Sequence, residues 1–484
     1  MLFGSAGSGS LVAAGRAFAD ERQRSLMINT LVLGAGVTAF ALAIGAPAGI
    51  ILARCNPRRA WLARLIFAVP VVLPSYVLGL AWIVLFGSHT SSFVYSMPAA
   101  IVVLGFSLYP IVMLAAEAAL RTVPAKLEEA GRLVASPALV FVKITLPLIA
   151  AALSASLLIV FVLAISDFAV PGLLRIRVYT TEVFTAFAAL YDFRLATMMA
   201  LPLAAVATLA SIGALRLVRR PFTGRTDRGQ SGRRWSDVSQ RFAVACMLLV
   251  AVAAVGLPIG AVALAARAGR AAYVDAVSVD ALRNSFVWAA TAASLVVMIG
   301  TMLGYWRRTA SPPAAHLAEA LWATLFAVPA TIVGIGIIAL WNRPGVLGGI
   351  YQTGAIVVVA YFSRFLPIAA LLCGAFMRRV PAGVVEAASV SGASWMRTFT
   401  RIVIPMSRGG LAAVWLMMFI LMFGDVALAI LVSPPGESNL AVRAYTLIAN
   451  SPPSDVARLA VVQIAVTALP LVALALIARN QESA

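Results

Sequence analysis

Eleven apolar runs, each of 20 or more residues, leave this chain few ways to fold. Such a run crosses a hydrocarbon layer of about 30 Å when it is helical. Spans are expected at 26–53, 61–86, 97–120, 144–170, 194–218, 241–267, 284–306, 319–342, 352–377, 404–432 and 458–478. Of the 484 residues, 62% are hydrophobic and 11% charged, against about 45–50% and 25% in soluble domains. The expected fold class is an all-α polytopic membrane protein.

The net charge of +19 raises nucleic acid as a partner, and its distribution excludes it. The arginines sit in a few short loops, without the aromatic interleaving that single-stranded nucleic acid requires. Clustered arginines instead mark cytoplasmic connections. Arg54, Arg58 and Arg59, the linker Arg216–Arg241, and Arg307–Arg308 are therefore expected in the cytoplasm, with the loops Gly87–Ser96 and Asn342–Gln352 outside. Cys55, Cys246 and Cys373 stand alone, and isolated cysteines read as small apolar fillers. His89 and His316 are single loop residues, so no metal site is expected.

Two similar basic stretches interrupt the apolar pattern. One is EEAGRLVASPALVFVKITLP, Glu128 to Pro147; the other is VEAASVSGASWMRTFTRIVIP, Val385 to Pro405. Six spans separate them, so both face the same side, the cytoplasm. That makes the repeats parallel, related by an axis along the membrane normal. Other echoes accompany them: Asn29-Thr30 with Asn284-Ser285, Ile66–Pro70 with Leu325–Pro329, and Asp167 with Asp425. The expected domains are a first half at 1–215 with its loop at 121–147, an Arg-rich linker at 216–241, and a second half at 242–484 with its loop at 378–405. Span 241–267 has no counterpart in the first half, and parity puts Met1 outside. Either a first helix is missing, making twelve spans, or eleven is the true number.

Within the second stretch, Val385–Ala388 and Trp395–Arg401 read as two short helices turning at Gly392, since glycine accepts a positive φ at a sharp corner. The second helix is expected to end at Pro405, where a new span starts, because proline suits a first helical turn. In the first stretch, counting from Val123-Pro124 against Val380-Pro381 sets Glu129, Ala130 and Gly131 opposite Glu386, Ala387 and Ala388. Ala135 then stands opposite Gly392. Counting back from Pro147 gives a register different by one, which a single deletion after Ala135 reconciles.

Glu386-Ala387-Ala388, Gly392, Ile402 and Ile404-Pro405 at these spacings resemble the EAA loop of ABC importer permeases, with Ile404 where the family has leucine. The fused arrangement, Pro74–Trp82, Ser433–Gly436 and Val442–Tyr445 are similar to the ferric-iron permease group, whose relatives include thiamine, phosphonate and polyamine importers. The resemblance implies a type I importer fold, and two coupling loops seated on an ABC ATPase dimer at the cytoplasmic face. It also implies a binding protein delivering cargo from outside, in a bacterial inner membrane. The chain has no phosphate-cradling loop of the Gly-x4-Gly-Lys-Ser/Thr kind. It is therefore expected to hold no cofactor and to be no enzyme itself, with ATP bound by the partner subunit and lipid as its other contact.

Asp167 and Asp425 are candidates for the translocation pathway, where paired carboxylates would ease a cation through. The plainer reading makes them helix-end residues bonded locally near Arg175 or Arg443. Glu117 is expected to snorkel or to pair with Arg121. An ion-coupled secondary transporter is the rival of a different class.

Overall fold

The computed structural model describes residues 21–55, 60–87, 91–190, 192–218, 237–268, 276–378, 380–448 and 450–483. Expectations for Met1, Arg58, Arg59, His89, Arg379 and linker residues 219–236 lie outside these. Among the described residues every regular element is a helix. Among the described residues nine helices are long and apolar enough to cross a membrane, and counting each of two bent pairs as one span raises the number to eleven.

In the first half, α1 (Glu21–Cys55) is followed by the bent pair α2 (Ala60–Val72) and α3 (Ser75–Phe86), then α4 (Met97–Leu120). The short α5 (Ala125–Arg132) leads into the long α6 (Pro137–Ser166). Two short helices, α7 (Ala169–Leu173) and α8 (Tyr179–Ala188), precede α9 (Phe193–Val218). An additional crossing, α10 (Ala243–Ala268), comes next. The order then repeats with α11 (Ala276–Thr309), the bent pair α12 (Pro312–Ala327) and α13 (Ala330–Trp341), and α14 (Ala355–Met377). It continues with α15 (Ala382–Val390), α16 (Trp395–Phe423), the single turn α17 (Ala429–Val432), α18 (Leu440–Leu447) and α19 (Pro453–Ser483).

The expected spans 61–86 and 319–342 are each a bent pair of helices, turning by 92° and 93°. The corners are Leu73-Pro74 and Val328-Pro329, where each proline caps the following helix in extended backbone, with ψ of 134° and 144°. A residue before proline is pushed out of the helical region, so the helix ends there. The echo of Pro70 with Pro329 is thus one turn out of register, because Pro70 lies inside α2 and Pro74 is the true counterpart. Five residues beyond each corner proline, Gly79 and Gly334 take equivalent contacts. A Cβ on them would lie 2.7 Å from Leu173 and 2.8 Å from Leu431.

A second correction concerns Pro405, expected to begin a new span, and it holds for its counterpart Pro147 as well. Both lie inside continuous helices, Pro137–Ser166 and Trp395–Phe423. Each is preceded by a π turn, Phe141–Thr145 and Phe399–Val403. A proline ring collides with the carbonyl four residues back, and a wider turn inserts one residue there and relieves the collision.

The halves interlock. Tyr76, Val77, Leu80 and Ala81 of α3 are buried in the core of the second half, while Ala327 and Ile335 are buried in a cluster of the first. The extra helix α10 joins both: Met247 and Ala254 pack into the first-half core and Val262 into the second.

Candidate functional site

The two repeated elements share a frame and differ in what anchors it. Val123 and Val380 are both buried at the turn that enters the short helix. Ser136 and Ser394 each cap the long helix, accepting from Leu139 N–H at 3.4 Å and Arg397 N–H at 3.3 Å. Between these points the first element is one residue shorter, and the shortfall falls directly after Ala135. The corners differ accordingly. Gly392 adopts φ +76°, a region that disfavours side chains, with Ala393 N–H bonded to the Ala388 carbonyl at 3.0 Å. Nothing lies within 4 Å of a Cβ added there, so conformation alone requires the glycine. Ala135 is not among the positive-φ residues; the first element turns without a left-handed residue.

Glu129 and Glu386 are exposed, as are Ala130 and Ala387, whereas Ala388 is buried and Gly131 half-buried. The carboxylate that anchors the first element is Glu128, one residue before the expected motif. Only 3% of it is exposed. It accepts from both terminal nitrogens of Arg54 at 2.6 and 2.5 Å, and from the Thr145 hydroxyl at 2.6 Å. Burial works against its charge, but the hydrogen bonds from Arg54 and Thr145 and the charges of Arg54 and Arg132 prevail. The carboxyl is held below its ordinary range. In the second element the equivalents of Glu128 and Thr145 are Val385 and Val403. Both pack into an apolar cluster with Tyr305, Met377 and Phe399. Tyr305, Trp395 and Phe399 stack there, with ring centroids 4.8 to 5.3 Å apart. One element is pinned by an ion pair, the other by aromatic rings.

Each tip exposes apolar side chains: Leu133 (86%) and Val134 (87%) in the first, and Val390 (89%) in the second. Lys126 and Lys143 flank the first tip, and Arg397 and Arg401 the second; all four are exposed.

A second polar cluster lies where the halves meet. Asp167 ends α6 and accepts from Val170 N–H at 2.9 Å and the Ser75 hydroxyl at 2.8 Å. Asp425 accepts from Leu428 N–H at 2.9 Å and Ala429 N–H at 3.3 Å. Arg364 of α14 bonds the Val328 carbonyl at 2.8 Å, and its charge acts on Asp425. The two aspartates also act on each other. All three charged groups keep part of their surface accessible. Arg175, the expected local partner of Asp167, instead lies over the Tyr95 ring at 5.4 Å. Contacts across the halves close the cluster. Phe168 lies 5.8 Å from the Tyr445 ring, and a Cβ on Gly424 would stand 2.7 Å from Pro74.

The repeated pairs Asn29-Thr30 and Asn284-Ser285 have a geometric counterpart. The asparagines donate to the Arg177 and Ser438 carbonyls at 3.1 and 3.4 Å. The hydroxyls accept from Tyr179 and Leu440 N–H at 3.0 and 2.7 Å. Each pair clamps the start of α8 or α18 to the first long helix of its half. Glu117 pairs with Arg121 and also with Arg64, both at 2.8 Å. Sequence reasoning missed Arg54, Glu128, Thr145, Ser75 and Arg364. Arg364 had a visible signal, a charge inside an apolar run. Among the described residues no group of three His, Cys, Asp or Glu side chains is placed to hold a metal ion.

A family model described as "Binding-protein-dependent transport system inner membrane component" matches residues 45–223 and 296–480. The chain is 21% identical over 438 residues to the "Fe(3+)-transport system permease protein FbpB 2" of Haemophilus influenzae, covering 88% of this chain and 84% of that protein. It is 28% identical over 188 residues to a "Putative ABC transporter permease protein ORF1" of Streptomyces antibioticus, covering 38% and 80%. It is 26% identical over 151 residues to the "Osmoprotective compounds uptake permease protein GgtD" of Synechocystis, covering 31% and 49%.

Proposed function

The chain belongs to the family of binding-protein-dependent transport system inner membrane components, and from that premise we propose that it is the permease of an ATP-driven importer in a bacterial inner membrane. Halves 1–215 and 242–484 form one pathway, joined by the linker 216–241. A binding protein outside delivers the cargo. The elements carrying Glu129, Ala130, Gly131 and Ala135, and Glu386, Ala387, Ala388 and Gly392, couple the halves to two ATPase subunits.

The observation that carries this reading is the pair of apolar tips. Exposed apolar surface costs about 25 cal/mol per Å² while it stays in water, and Leu133, Val134 and Val390 are exposed at the ends of the two basic elements. A protein partner covers such tips. Both elements are fixed rigidly to long helices, so a displacement at either tip is transmitted to the pathway. Purification with the neighbouring ATPase tests this: the parent chain should bind and stimulate it, and Glu386→Arg should abolish ATP-dependent uptake. An ion-coupled transporter would keep its uptake without any ATPase.

For cargo, we favour ferric iron over thiamine, phosphonate or polyamine. The relative matched along most of the chain is named for Fe(3+) transport. In the interface cluster the two carboxylates, Asp167 and Asp425, feel each other's charge while Arg364 acts on Asp425, which suits a passing cation. Uptake of radiolabelled ferric iron by cells with and without the gene decides it. Unchanged uptake in a strain with no other iron system would remove iron and leave the importer.

A further inference from the structure

The anchors of the two elements differ in a way that leaves a space in one of them. In the second, the rings of Tyr305, Trp395 and Phe399 stack together at the base of the tip. Their counterparts in the first are Ile50, Pro137 and Phe141. Two of the three rings are missing, and a cavity of about 260 Å³ opens there, lined by these residues with Arg54, Glu128 and Arg132. The cavity is apolar on the Ile50, Pro137 and Phe141 side. Arg132 also lines it, and its Nε is buried without a hydrogen-bond partner among the described residues. Arg54 and Glu128 neutralise each other, so Arg132 leaves the cavity cationic. Leu133 and Val134 follow Arg132 directly in the chain and are almost fully exposed.

We propose that this cavity is a socket in the first coupling element that receives one apolar or aromatic side chain of the ATPase partner, with a neighbouring carboxylate of that partner on Arg132. The inference rests on the coupling reading above. The second element carries its own plug, Trp395, and needs none from outside. The two ATPase subunits therefore dock differently: one is held by insertion into the permease, the other by surface contact alone. A buried guanidinium nitrogen wants an acceptor, and an apolar hollow beside it fits a side chain better than a free ion.

Ala138 and Met396 occupy equivalent positions, one residue beyond Pro137 and Trp395. The full chain is reconstituted in nanodiscs and titrated with the ATPase encoded beside it. Ala138→Trp, which fills the socket, should weaken binding about tenfold, the scale of a lost interface anchor, and Met396→Trp less than about twofold. Ala138→Met, a milder filling, should weaken binding by an intermediate amount. Variants are compared only after monodisperse elution. A photo-crosslinking benzophenone at Ala138 should label an apolar residue of the ATPase beside an acidic one. Unchanged affinity for Ala138→Trp, or crosslinks to lipid alone, overturns the socket and leaves coupling intact. If the parent chain binds no ATPase, the coupling reading falls first and the socket with it.

Discussion

Glu128→Gln keeps the shape of the first anchor and removes its charge. Arg54, only 8% exposed, would then face a neutral amide in place of a carboxylate held at 2.6 and 2.5 Å. Removing one partner of a buried ion pair costs about 3–5 kcal/mol, because the other charge stays buried without compensation. Glutamine retains an oxygen for one of the three donors, so the lower figure applies. About 3 kcal/mol is a factor of roughly one hundred in the population of the detached element. Amides of α5 should therefore exchange with deuterium about a hundredfold faster, while those of α15 do not change. The double variant Arg54→Met with Glu128→Val copies the apolar solution of Val385. Since well-packed apolar residues replace a buried pair at little cost, it should recover to within about tenfold of the parent. If Glu128→Gln alone leaves α5 exchange within threefold of the parent, the ion pair is not what holds the element. The pH dependence has a definite sign. The Glu128 carboxyl is lowered in the folded state, so its contribution is complete above the ordinary carboxylate value and lost as pH falls through the lowered one. The α5 exchange rate should be insensitive to this group between pH 6 and 8 and rise only in strong acid.

At Gly392 any side chain must adopt φ +76°; Gly392→Val should cost about 1–2 kcal/mol and impair ATPase stimulation, while Gly392→Asn is tolerated better. Gly304 lies where a Cβ would stand 2.6 Å from the Gly374 nitrogen. Backbone cannot yield as a side chain does, so Gly304→Val should abolish the monodisperse peak in fluorescence-detected chromatography. Asp425→Asn removes the carboxylate that acts on Arg364 and should lower thermal stability, whereas Asp167→Asn, whose hydrogen-bond partners are neutral, should fold and lose cation uptake. Equal melting temperatures for the two would contradict the charge assignment.

The number of crossings was legible because hydropathy sums over a window, and a window does not register a corner. For the same reason the 92° and 93° bends were invisible, although Pro74 and Pro329 marked them. The Asn29-Thr30 and Asn284-Ser285 echo was legible as a repeat; the clamp it makes needed the partners on α8 and α18. Glu128 was passed over for Glu129 because the two are adjacent. Which of them faces inward depends on Arg54, 74 positions away in the chain. Asp425 was assigned a partner nearby in sequence, whereas the cation acting on it comes from α14. Long-range pairing of charges follows from packing, and one sequence read alone contains no record of it.

The helix α10 has consequences for how the chain is made. Its residues Met247 and Ala254 complete one core and Val262 the other. Synthesis runs from the N-terminus, so the crossings that precede α10 leave the ribosome before the helix that finishes their packing exists. Until then their seat for α10 is covered by lipid, and no second core is available for Val262. Correct insertion of α10 is therefore needed to finish both cores. A nascent chain that inserts it wrongly leaves both cores incomplete at once, presenting membrane quality-control proteases with a defect they can recognise before the second half is built.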